Sequence, residues 1–295
     1  MKKRIRKKRI LIIFLIIELS IRIYLTNVKE FNEFDYYILN IEGVPFAYYN
    51  LSYYDYAKQK PRILLIGDYI TMHKGVEGKN IANKLEEKIG TENEIINFAA
   101  SWYSYPEELS LIQNKGLDLN PDTIVVVYVL NDITLDNKKR GILRVYLKEG
   151  INQFKFLTPA FLQYINMKRI ESNLTKFYEN PTEWIDNYYN DYQDPTQYNG
   201  FENYLTTLSD IQKEKNISII FTIIPIFARL NYSPHQEMVE KIFQSCEKTT
   251  LTCINTLNTL KNYNLSQIKE DDQDIWHPNS KGINIISQLI LEKII

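Results

Sequence analysis

The strongest constraint on the fold is an eight-residue run, Thr123 to Leu130 (TIVVVYVL), which carries apolar side chains in both alternating registers. A strand wetted on one face alternates polar and apolar residues. One that is apolar on both faces has to be covered twice, as in a parallel sheet between two helical layers. Four shorter runs of similar character surround it: Arg62 to Ile66, Glu94 to Phe98, Ile217 to Ile224 stopped by Pro225, and Leu251 to Ile254. Helix-period stretches alternate with them, from Gly78 to Ile89 (apolar Ile81, Ala82, Leu85, Ile89) and from Ser280 to Ile295 (apolar Ile283, Ile286, Leu289, Ile290, Ile294). The pattern predicts a three-layer α/β/α sandwich on a mainly parallel five-stranded sheet over 61–295.

The interval from about 133 to 216 is longer than one crossover helix requires and reads as an aromatic-rich insertion. Phe154, Phe156, Phe161, Tyr164, Phe177, Tyr178, Trp184, Tyr188, Tyr189, Tyr192 and Tyr198 crowd it. Two roles are open to them: packing helices onto the sheet, or forming an apolar or sugar-stacking wall.

Ahead of the domain lie three further segments. Residues 1–9 carry seven basic side chains, and removing them from the formal net charge of −1 leaves −8 on the rest. An acidic body with a basic leader gives no global attraction to nucleic acid. Ile10 to Ile17 is apolar on all faces and continues to Leu25, with Glu18 and Arg22 one helical turn apart. These sixteen residues give about 24 Å of helix against a hydrocarbon core of about 30 Å, enough for an anchor with snorkelling flanks. No A-x-A-like cleavage site follows. The expectation is a single-pass signal anchor over 10–25, with the basic end cytoplasmic and the body extracytoplasmic. Residues 26–60 read as a tyrosine-rich surface lead-in. Cys246 and Cys253 are too few for a disulfide scaffold and lack metal-site spacing, so no metal is expected. The burial habit of free cysteine favours two buried thiols flanking a turn, with one disulfide open to them if the body is exported.

In open α/β sheets ligands meet the carboxyl ends of strands, so the residues that follow each strand are the candidates. They are Gly67-Asp68-Tyr69-Ile70-Thr71, Asn97 to Tyr103 with Ser101 and Trp102, Asn131-Asp132, and Asp274-Ile275-Trp276-His277-Pro278-Asn279 before the last helix. An Asp three residues before a His can hold the ring's Nδ1 and leave Nε2 free as a general base. An Asn at a strand end can donate to a developing oxyanion. No GxSxG elbow, P-loop, GxGxxG or HExxH is present. His73 and His235 have no carboxylate at useful spacing and read as exposed loop histidines.

In this order the four blocks resemble the SGNH (GDSL) hydrolase family. Ile63 to Thr71 is similar to its Gly-Asp-Ser-x-Thr block, Asn131 to its oxyanion Asn, and Asp274 to Asn279 to its Asp-x-x-His-Pro-Asn block. The anchor is similar to that of membrane-tethered bacterial members. The resemblance implies His277 as base, Asp274 as its orienter, Asn131 as oxyanion donor with Asp68 beside it, and no cofactor. It implies ligands among acylated lipids, glycans or cell-wall polymers. Two positions depart from the family pattern: Tyr69 stands at the nucleophilic Ser, and Trp102 at a Gly whose backbone N–H would donate. By summed bond lengths a phenol oxygen lies about 6.5 Å from its Cα against about 2.4 Å for a seryl oxygen, so ordinary serine-ester hydrolysis is expected to be impaired or lost. The alternatives are an active hydrolase using Tyr69 or a relocated hydroxyl (Ser101, Ser104, Thr71), and a non-catalytic binding or structural protein tethered to the membrane.

Overall fold

The computed structural model describes residues 39–41, 44–47, 58–72, 80–99, 103–133, 181–227, 230–270 and 277–295. All of them belong to one compact unit, Ile38–Lys138 with Asn180–Ile295. The segments read as leader, anchor and most of the lead-in, with Trp102 and Asp274, lie outside the described residues, as does the side chain of Tyr69. Among the described residues no helix is long and apolar enough to cross a membrane.

A short antiparallel ribbon, β1 Leu39–Ile41 and β2 Val44–Ala47, precedes the main sheet. The sheet consists of β3 Arg62–Gly67, β4 Glu94–Asn97, β5 Thr123–Val129, β6 Ser218–Ile224 and β7 Thr252–Asn255. All four pairings are parallel, and the spatial order is β4-β3-β5-β6-β7. The five expected strands are present within one or two residues of their sequence bounds. The doubly apolar run forms the central strand β5, where Ile124 to Val129 are all buried.

One helical layer holds α2 Ile81–Ile89 and α8 Ser280–Ile294, which pack on each other. α8 turns Ile283, Ile286 and Ile290 inward at helical spacing. The opposite layer holds α3 Tyr105–Leu111, α4 Pro181–Gln193, α5 Pro195–Lys215 and α6 Ser233–Glu247, while α1 Tyr69–Met72 and α7 Leu257–Leu260 are single turns at strand ends. Together these make three layers. Local chemistry sets the helix starts. Asn80 Oδ1 accepts from Asn83 N at 2.7 Å, Asp194 Oδ1 accepts from Thr196 N at 2.8 Å ahead of Pro195, and Ser104 with Glu107 forms a capping box.

The aromatics around α5 pack against the sheet. Phe201 lies with ring centroids 5.0 Å from Tyr128 of β5 and 6.2 Å from Phe221 of β6, and Tyr128 lies 5.3 Å from Phe221. Tyr188 and Tyr192 on α4 are buried, with Tyr192 Oη 2.8 Å from Tyr128 Oη. Of the two roles open to these aromatics, these two tyrosines take packing. Each such ring contributes roughly 1.5–3 kcal/mol by burial alone.

Two expectations need correction. Cys246, late in α6, and Cys253, in β7, are joined by a disulfide with Cα atoms 6.1 Å apart, where two buried thiols were expected. The seven-residue return from helix to strand brings the two Cα atoms within bridging range. His235 is not an exposed loop residue: it is fully buried in the first turn of α6, and its Nε2 accepts from Ile226 N at 3.1 Å. It ties the segment leaving β6 to the helix that follows.

Candidate active site

The strand order places the first and third strands of the sheet, β3 and β5, side by side, with their connections leaving in opposite directions. This is the topological switch point where open α/β sheets form a crevice. Asp68 leaves β3 there, and Asn131 and Asp132 leave β5 in the 3-10 turn Leu130–Ile133.

Gly67 has φ +157°, and a Cβ on it would stand 2.5 Å from Thr71 Oγ1 and 2.7 Å from the Val127 carbonyl oxygen. Only a glycine lets the chain pass that close to β5 and turn at once into α1. Asp68 is buried, and its Oδ1 accepts from Ile70 N at 2.9 Å, fixing the turn. Asn97 at the end of β4 donates its amide to the Thr71 carbonyl at 3.1 Å and accepts from Ala99 N at 3.2 Å. The Gly-Asp-x-x-Thr spacing is therefore a packing requirement, and it presents position 69 on a braced turn.

Two predicted site residues reach Asp68. The Asn131 side chain hydrogen-bonds its carboxylate, and His277 is close enough to act on it by charge. Burial nevertheless dominates and pushes the Asp68 carboxyl up to about 6, with the Ile70 N–H, His277 and Asn131 pulling in the other direction. His277 is half-buried and held by its main chain. Its carbonyl accepts from Glu270 N at 3.0 Å, and Lys269 and Pro278 form a β-bridge beside it. Asn279 locks the next step: its Oδ1 accepts from Lys281 N at 3.0 Å and Gly282 N at 3.1 Å, while its amide donates to the Gln267 carbonyl at 3.1 Å. The Pro-Asn after the histidine is thus a helix cap and a loop clamp. The structure brings together Asp68, Asn131 and His277; Asp274, Trp102, Ser101 and the Tyr69 side chain fall outside the described residues.

Two hydroxyls weighed as relocated nucleophiles are occupied or enclosed. Ser104 is buried and its Oγ donates to Glu107 Oε2 at 2.6 Å, while Thr71 Oγ1 is fully buried beneath Gly67.

Behind the site lies a feature the motifs do not announce. Glu108 on α3 is fully buried, accepts from Tyr204 Oη at 2.9 Å through Oε2, and leaves Oε1 without a hydrogen bond. Asp132 is fully buried, accepts from Val129 N at 2.6 Å through Oδ2, and leaves Oδ1 without one. Burial first, and then the charges of Asp68 and Glu107, raise Glu108 to about 8 against the opposing Tyr204 bond. Burial, Asp68 and Glu108 raise Asp132 well above the usual carboxylate range. Carboxyl groups this close in a dry interior cannot all ionise, so the cluster holds protons at neutral pH. Glu108 was missed in sequence because an acid in the first turn of a helix is ordinary there. Asp132 was visible only as the partner of Asn131. Among the described residues no group of His, Cys, Asp and Glu can hold a metal ion.

No family model matches the chain, and no curated protein matches it in sequence. Solved structures resemble its fold. A putative SGNH hydrolase from Slackia heliotrinireducens is 12% identical, covers 80% of this chain and 99% of its own, and has a TM-score of 0.47. An acetyl xylan esterase, AlAXEase, is 13% identical over 79% of this chain and 100% of its own, with a TM-score of 0.49. The lipase/acylhydrolase from Enterococcus faecalis is 17% identical over 79% and 95%, with a TM-score of 0.47.

Proposed function

We propose that the chain is an SGNH-type hydrolase-family protein, exported and anchored through residues 10–25, whose ester site has impaired or lost serine-type turnover. The observation that carries this reading is the meeting of His277 and Asn131 at Asp68, next to a position filled by Tyr69. In such a site His277 Nε2 takes the nucleophile's proton, Asp274 orients the ring, and Asn131 with backbone amides stabilises the oxyanion. By length alone, a phenol carries its oxygen farther from the main chain than the seryl oxygen that such an imidazole activates. The ligands are acyl or acetyl esters of lipids or glycans. The Cys246–Cys253 bridge supports export, since disulfides persist in oxidising compartments. The basic leader before an apolar run supports the orientation.

The test is turnover of a short-chain aryl ester by the detergent-solubilised full chain. The wild type should stay near background and be insensitive to His277→Ala. Tyr69→Ser should raise the rate on the order of 10²-fold or more if the oxyanion donors are in place. Wild-type activity lost in both His277→Ala and Tyr69→Phe would overturn the reading in favour of a tyrosyl nucleophile. The anchor is tested separately by shaving intact cells with protease, which should digest the body; protection would reverse the orientation.

A further inference from the structure

In a chain with 22 tyrosines, the described tyrosine ring that stands out as exposed is Tyr263, 36% accessible. It lies where the turn after α7 meets the segment after β6, on the same carboxyl edge of the sheet as Asp68, Asn131 and His277. A cavity of about 540 Å³ opens there, within the range of ligand-binding clefts. Its lining is mixed. Leu230 and Leu265 give an apolar floor and Tyr232 and Tyr263 give rings, while Asn231, Lys261 and Asn264 present amides and an ammonium. The hydroxyl of Tyr232 is committed, donating to Asp186 Oδ1 at 2.6 Å, and Asn264 Oδ1 caps Ser266 N at 3.2 Å, which leaves the Asn264 amide N–H₂ for a ligand.

One cation lies over the exposed ring and a second belongs to the cavity lining. Lys281 Nζ lies 5.0 Å from the Tyr263 centroid, and Lys261 belongs to the lining itself, with Nζ 3.1 Å from Asn258 Oδ1. No carboxylate is among the described lining residues, although the chain beyond its leader carries a net −8. Lys281, whose ammonium lies over the Tyr263 ring, stands on the first turn of α8, four residues along the chain from His277.

We propose that this cavity is a subsite for an anionic saccharide, with Tyr263 as the stacking platform and Lys261 and Lys281 meeting the acidic substituent. A sugar ring has an apolar C–H face and a hydroxyl edge, matching a tyrosine face flanked by amides; an acyl chain would find three polar side chains along its path. The proposal rests on the ester-site reading and deepens it, naming a glycan as the carrier of the ester.

The full chain in detergent micelles is titrated calorimetrically with an oligogalacturonate and with a neutral xylo-oligosaccharide of equal length. The acidic sugar should bind, and its affinity should fall about tenfold or more in Tyr263→Ala and in the Lys261→Ala, Lys281→Ala pair. Tyr263→Phe should retain binding, because the ring face and not the hydroxyl carries it. Matching thermal melts exclude misfolding at these exposed positions. Equal binding of the two sugars, binding that survives Tyr263→Ala, or binding of neither overturns the proposal. Aryl-ester turnover by Tyr69→Ser is measured in parallel. Turnover without sugar binding sinks the subsite alone, and sugar binding without turnover sinks the ester-site reading alone.

Discussion

The two ends of the sheet treat buried charge in opposite ways. At the amino end, Arg62 is fully buried, yet its Nε donates to Glu94 Oε2 at 2.7 Å, its guanidinium reaches the Leu119 carbonyl, and its main-chain N–H donates to Asp122 Oδ2 at 2.7 Å. Asp122 is paired in turn with Lys58 at 2.6 Å. Opposite charges meet there and donors find acceptors. At the carboxyl end Asp68, Glu107, Glu108 and Asp132 gather charges of one sign, and two of their buried oxygens have no hydrogen bond. An end built for stability alone would resemble the first. Tolerating the second costs folding energy, and chains tolerate such a cost where a site needs it.

The sharpest way to break the comparison is to spoil the satisfied end. Arg62→Ala strands Glu94 and the Leu119 carbonyl and leaves a void, and should lower unfolding free energy by about 3 kcal/mol or more in urea titration. A loss under 1 kcal/mol would show that the amino end is no better built than the other.

The next test acts through pH at the carboxyl end. Glu108 has a folded pKa of about 8, raised from 4.5, so the unfolded chain releases its proton first as pH rises. Its contribution is therefore full below about 4.5 and is lost on the way to about 8; Asp68, raised from 3.8 to about 6, acts in the same direction lower down. Wild-type stability should fall across that window by on the order of 2–3 kcal/mol. Glu108→Gln, which keeps the shape of the protonated acid, should flatten the upper half. An unchanged slope would mean that the proton sits elsewhere in the cluster.

A change at neither end calibrates both. Cys246→Ser with Cys253→Ser removes a bridge across seven residues and should cost about 2 kcal/mol by chain entropy without altering the pH slope. The smallest effect belongs to Lys58→Ala at the part-exposed pair with Asp122, about 0.5 kcal/mol and fading in salt.

What could be read in advance follows from range in the chain. β5 shows itself because its two-faced apolarity is local, and Asp68, Asn131 and His277 because they stand at strand or helix ends that local patterns mark. Glu108 draws its significance from Tyr204, 96 residues away, and no local pattern records that meeting. The disulfide was misjudged because it depends on how α6 hands over to β7, and His235 because its partner, the Ile226 N–H, comes from a segment whose path only the fold defines.

The placing of β5 between β3 and β6 also bears on how fast the chain reaches its native state. Its pairing with β6 matches Thr123 to Ser218, 95 positions apart, so closing the central ladder carries the entropy cost of a long separation in sequence. The segment from α5 through β7 can assemble from near neighbours first. Until β5 joins it, the β6-facing edge of a strand apolar on both faces stays open to any passing edge. Refolding from denaturant should therefore be slow and concentration-limited, with yield set by aggregation in that interval rather than by final stability.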